Sequence, residues 1–170
     1  TVSSDTLPAT QEHGLESGVF ELDGNISSQF VSGLLFALPL LSGDSRIVLK
    51  TPLESLGYVN MTLDTLRQFG VTTSKTENGY VVKGGQSYHS PGEITVEGDW
   101  SNAAFWAVSG AIGVSPVIIK GLNFRSLQGD RIIEKLIIEF GSMVQRGQNA
   151  LEIHWGRTRG ITIDAKQIPD

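Results

Sequence analysis

Two hydroxyls and an amide stand together at Ser27, Ser28 and Gln29, just after Gly24 and Asn25 in the stretch "GVFELDGNISSQF". A short strand that turns through a glycine into a helix leaves the first helical amide hydrogens without partners. Those N–H groups, the positive end of the helix dipole and the two hydroxyls can converge on an anion, which is the chemistry of a phosphate site. The same serines also suit plain helix capping with Gln29 as a surface amide, and spacing alone favours that use.

A second group lies in "PLESLGYV", where a loop leads from a strand edge into a helix. The Ser55 hydroxyl and the Tyr58 phenol could donate to the same phosphate and to a hydroxyl on a ring. Alternatively Ser55 is an N-terminal cap and Tyr58 a half-buried packing ring. Metal chemistry is not expected. His13, His89 and His154 are far apart, form no His-x-x-x-His pair and have no cysteine beside them. No cofactor is expected either, because the glycine-rich "VKGGQSYHSPG" leads into a strand and not a helix, which fails the context of a dinucleotide loop. Trp100 and Trp106 read as core residues of a buried unit and not as a stacking platform.

Elements must hold these groups in place, and the composition says how deeply. Charged residues are 18% of the 170, below the roughly 25% of an average soluble protein, so helices and strands should be apolar on several faces. A net charge of −5 without a basic stripe argues against nucleic acid. The longest apolar run, Gly33 to Leu41, is far short of the ~20 residues of a membrane span and reads as a buried helix. The lack of cysteine fits a reducing compartment, and the cytoplasm is the expected location.

Periodicity gives strands at "GVFEL" and "GEITVEG", each opening a helix capped by Asn25 or Asp99. The helices "SSQFVSGLLFAL" and "SNAAFWAVSGAI" are apolar nearly all round and should be enclosed, the first ending near Leu38 because Pro39 cannot continue it. Strands "SRIVLK" and "PVIIKG" follow, then amphipathic helices with Val59, Leu63, Leu66 and Ile132, Leu136, Phe140 on their core faces, stopped at Gly70 and Gly141. Hairpins close each unit, one turning at Asn78 and Gly79, the other at Gly156 and Gly160.

The order β-α-β-α-β-β therefore occurs twice. Gly18, Gly24 and Ser27 recur 74 positions later as Gly92, Gly98 and Ser101, and Ser55, Phe69 and Gly70 recur 71 positions later as Ser126, Phe140 and Gly141. In the second copy Ala103 stands opposite Gln29, so that copy reads as scaffold, with Ser126 structural and Arg125 a solvated charge. "GITIDAKQIPD" overlays the start of a unit once more. The expectation is an α+β fold with buried central helices and sheets outside: a lead-in strand or hairpin over 1–17, units over 18–91 and 92–159, and the start of a truncated third unit over 160–170, all in one lobe of a longer protein.

"GNISSQFVSGLLFALPLL", "YVNMTLDTLRQFGV", "YVVKGGQSYHSPGEITVEGDWSNAAFW" and the closing "IPD", in that order and spacing, resemble the 5-enolpyruvylshikimate-3-phosphate synthase family over about residues 18 to 170. The resemblance implies two similar lobes of three units each, closing over 3-phosphoshikimate and phosphoenolpyruvate, with this chain most of one lobe and the second lobe its missing partner. It implies transfer of the enolpyruvyl group to the 5-hydroxyl of 3-phosphoshikimate. By the same resemblance, Ser27 and Ser28 hold the phosphate, Gln29 lies between the substrates, Ser55 also binds the phosphate, Tyr58 contacts 3-phosphoshikimate, and Asp170 takes part in proton transfer. Asp170 could also be a helix cap. The 170 residues alone are expected to be inactive. The other readings are a lobe of a UDP-N-acetylglucosamine enolpyruvyl transferase and a non-catalytic repeat module that binds a partner protein.

Overall fold

The computed structural model describes residues 14–25 and 27–164. Strand β1 (Val19–Leu22) pairs in parallel with β2 (Ser45–Leu49), and between them runs helix α1 (Ser28–Ala37). The α1 helix stops where Pro39 enters a short 3-10 turn, Leu38–Leu40, because proline has no amide hydrogen to continue the ladder. Helix α2 (Leu56–Gln68) leads to the hairpin β3 (Thr73–Thr76) and β4 (Gly79–Val82), and the sheet order is β1-β2-β4-β3. Its core joins Val31 and Leu35 of α1, Ile47 of β2, Val59 and Leu66 of α2, and Tyr80 and Val82 of β4.

The same order follows again with one strand fewer: α3 (Trp100–Ile112), β5 (Val117–Lys120), α4 (Ile133–Phe140), β6 (Met143–Arg146) and β7 (Ala150–His154). The sheet order β5-β7-β6 matches β2-β4-β3 of the first unit. Its core gathers Trp100, Ala103 and Ala107 of α3 with Ile137, Leu151 and Ile153. Both long hairpin units also tie down their second helix alike. The amide of His89 donates to the carbonyl of Phe69 at 2.8 Å, and that of Arg159 to the carbonyl of Phe140 at 2.8 Å. Gly141, at φ 109°, makes the latter approach possible, since a Cβ there would lie 2.1 Å from the Arg157 carbonyl oxygen.

Several expectations need correcting. The segment expected as the first strand of the second unit forms no ladder: only Gly98 N–H to Gly121 O, at 2.9 Å, joins it to the end of β5. Its alternation finds nothing to bury against, Val96 being 88% exposed, and alternation without burial does not hold a strand. Residues 160–164 form no strand either, and 165–170 lie outside the described residues. The second hairpin turns at 147–149, so Gly156 and Gly160 lie beyond it, with Gly156 packed against Gly141. In the first hairpin the turn residues are Glu77 and Asn78, one position earlier than expected. Ser27, and not Asn25, caps α1.

On α4 the buried apolar side chain is Ile137, with Ile133 and Phe140 packed beside it, while Ile132 is exposed in the 3-10 turn before the helix. The central helices are also open on one side. Helix α1 packs on α2, and α3 on α4, β5 and β7, which leaves Phe105 at 78%, Trp106 at 63% and, on α1, Phe30 exposed. Each sheet covers one face of its helix, and no other described element covers the second. Trp106 is thus not a core residue, whereas Trp100 is fully buried.

Candidate functional site

The start of α1 and the start of α2 face one cavity of about 830 Å³. Their approach depends on Gly24: a Cβ there would sit 2.6 Å from the Thr51 carbonyl oxygen and 2.9 Å from that of Pro52. The glycine lets the β1–α1 turn lie directly on the β2–α2 loop, and the Glu54 amide donates to the Gly24 carbonyl at 3.0 Å. Asn25 completes the clasp. Its amide donates to Thr51 Oγ1 at 3.2 Å, and that hydroxyl donates to Asn25 Oδ1 at 3.1 Å.

Within this frame Ser27 Oγ accepts the Gln29 amide at 3.2 Å, so one of the orphan donors at the helix start is satisfied from inside. Ser27, Ser28, Gln29, Ser55 and Tyr58, the five substrate residues expected from the sequence, all line the cavity. Asp170 lies outside the described residues. Ser55 has left-handed backbone, φ 54° and ψ 42°, the one non-glycine with positive φ among the described residues. Although it occupies the cap position of α2, its side chain makes no capping hydrogen bond. The plain capping role considered for it is therefore not the one it plays.

Side chains not singled out by sequence complete the wall. Ser32 Oγ and Thr62 Oγ1 lie 2.8 Å apart and join α1 to α2 across the cavity, and Thr62 also donates to the Tyr58 carbonyl at 3.1 Å. The signal was present in the spacing, since Ser32 follows Ser28, and Thr62 follows Tyr58, by one helical turn. Glu54 is the one charged side chain among the lining residues, and neither Lys nor Arg is among them. The arrangement offers hydroxyls, an amide and a helix N-terminus to an anionic, hydroxylated ligand, with no cation among the described residues that line it.

The second unit shows the contrast. Asp99 caps α3, its Oδ1 accepting the amides of Ser101 at 2.8 Å and Asn102 at 3.4 Å. Ala103, opposite Gln29, is buried in the core. Ser126, opposite Ser55, is 5% exposed and donates to Glu97, while Arg125 is exposed. The structural reading of Ser126 agrees with this.

Residues 2–170 match the family model described as EPSP synthase (3-phosphoshikimate 1-carboxyvinyltransferase). The chain belongs to the EPSP synthase family. It is 44% identical over 168 residues to the 3-phosphoshikimate 1-carboxyvinyltransferase of Clostridium kluyveri, covering 98% of this chain and 39% of that protein. With the enzyme of that name from Methanococcus maripaludis it shares 38% identity, covering all of this chain and 41% of the other. It thus spans about two fifths of the length of these EPSP synthase relatives. Among solved structures, EPSP synthase from Acinetobacter baumannii superposes with a TM-score of 0.67 at 22% identity, covering 91% of this chain and 35% of that one. The enolpyruvyl transferase NikO from Streptomyces tendae gives 0.64 at 18% identity, covering 85% of this chain and 36% of the other. These two likenesses carry the α+β fold. No helix among the described residues is long and apolar enough to cross a membrane.

Proposed function

We propose that this chain is the part of a 3-phosphoshikimate 1-carboxyvinyltransferase that holds 3-phosphoshikimate, in an enzyme that moves the enolpyruvyl group of phosphoenolpyruvate to the 5-hydroxyl of that ring. One observation carries the reading: Ser27, Ser28, Gln29, Ser55 and Tyr58 line one cavity at the start of α1, while the matching donors of the second unit are already bonded internally. The phosphate takes the amides at the start of α1 and the serine hydroxyls, and the ring hydroxyls take Tyr58 and Gln29.

The cations that phosphoenolpyruvate needs are assigned to other parts of the enzyme, including its second lobe, because none of the described lining residues is basic. Asp170 is assigned the proton-transfer role on family likeness alone, and the cytoplasm is the proposed location. Calorimetry tests the phosphate site. Ser28→Ala is expected to weaken 3-phosphoshikimate binding by about 1.5 to 3 kcal/mol, the worth of one hydrogen bond to a charged group. Equal affinity in the variant and the parent chain would contradict the assignment.

A further inference from the structure

We infer that Glu97 is a built-in anion: its carboxylate fills an oxyanion subsite that the second unit builds from neutral donors. Glu97 Oε1 accepts from Ser126 Oγ and from Gln128 Nε2 at 2.8 Å, and Oε2 accepts from Asn123 Nδ2 at 2.6 Å. Three neutral donors around one carboxylate, with no basic group among them, are a recognition pattern for an oxyanion. Ser126 is 5% exposed and stands in the register of Ser55, whose hydroxyl makes no capping bond in the open cavity of the first unit.

The donor cluster is itself held in place. Gln128 also donates to the Gly98 carbonyl at 3.0 Å and accepts the Trp100 amide at 2.8 Å, and its own amide donates to Ser126 Oγ at 3.1 Å. Cutting back Glu97 would therefore leave preorganised donors. An exogenous ion can reach them, because Glu97, Asn123 and Ser126 line a cavity of about 750 Å³ between α2 and residues 94–97. Burial, the largest influence on Glu97, works against its charge, as does Asp64 across that cavity. Even so, the donors from Ser126, Gln128 and Asn123 hold its carboxyl below the ordinary value.

Chemical rescue tests this. Glu97→Ala and Glu97→Ser are made in the 170-residue chain and melted in sodium formate, in inorganic phosphate and in chloride of matched ionic strength, with amide resonances followed by NMR. Both variants should melt below the parent chain in chloride. Formate or phosphate near ten times its dissociation constant should raise them by about 3 °C or more over the parent's own response, with shifts at Asn123, Ser126 and Gln128. The inference fails if neither ion raises either variant beyond the parent and those resonances stay still. Failure to fold in both ions counts against it equally. The inference rests on the donors around Glu97, and the proposed phosphate site is read separately at Ser27 to Gln29, so the two can fail independently.

Discussion

Ser55 combines two properties that a purely structural residue would not keep. Its backbone is left-handed, which costs a residue with a Cβ roughly 1 to 2 kcal/mol, and its hydroxyl does not repay this by capping α2. Ser55→Gly should therefore stabilise the fold, by about 1 kcal/mol in denaturant melts, while weakening 3-phosphoshikimate binding by a similar amount or more. A variant that is more stable and binds unchanged would leave the hydroxyl without the assigned role. The residue types of this site were visible in the sequence at a strand-to-helix turn, but spacing alone favoured plain capping there, and the phosphate reading came from the family resemblance. What spacing could not give was the backbone sign at Ser55, or the choice of Ser27 over Asn25 as the cap. That choice follows from Thr51, 26 positions away, engaging the Asn25 amide and side chain.

Among the elements, helices α1, α2 and α3 and the inner strands followed from periodicity because their apolar stripes are buried within the same unit. The misread elements depended on partners that local pattern does not reveal. Residues 92–98 alternate as a strand does but lack cover, and the hairpin β6–β7 was misplaced because β6, "MVQR", carries little apolar pattern of its own. The face of α4 was misjudged for a different reason: Glu134 is 5% exposed and takes a place on the buried side. It is held there by Arg146, whose Nε and second guanidinium nitrogen both reach its carboxylate, the latter at 2.6 Å, while the guanidinium lies 4.8 Å from the Phe124 ring centre. Removing one partner of a fully buried pair costs about 3 to 5 kcal/mol, but Arg146 is 56% exposed, so Glu134→Gln should cost less, about 1 to 2 kcal/mol in urea unfolding. No loss would mean that the pair is ornamental. A loss larger than 3 kcal/mol would mean that water screens it less than the exposure implies.

At the scale of the whole molecule, the two matching units differ at a few positions in register. In the first, Asn25, Gln29 and Tyr58 line a cavity; in the second, Asp99, Ala103 and Gly129 stand at those positions, and the helix start and loop are closed by carboxylates of the chain itself. The repeat and the scaffold reading of its second copy were visible from the register and from Ala103 opposite Gln29, whereas the contact of Glu97 with Ser126 was not, because it forms only through the fold. The exposed apolar faces of α1 and α3 belong to the same scale: their sequences asked for cover on all sides, and the described residues supply it on one. The central claim is that this chain carries a single 3-phosphoshikimate site at the start of α1, and NMR titration with that ligand tests it most directly. Saturable amide shifts at Ser27, Ser28, Gln29, Ser55 and Tyr58, with Ser101, Asn102 and Ser126 unmoved, are the predicted result. Shifts centred on the second unit, or none at Ser27 to Gln29 at millimolar ligand, would contradict it.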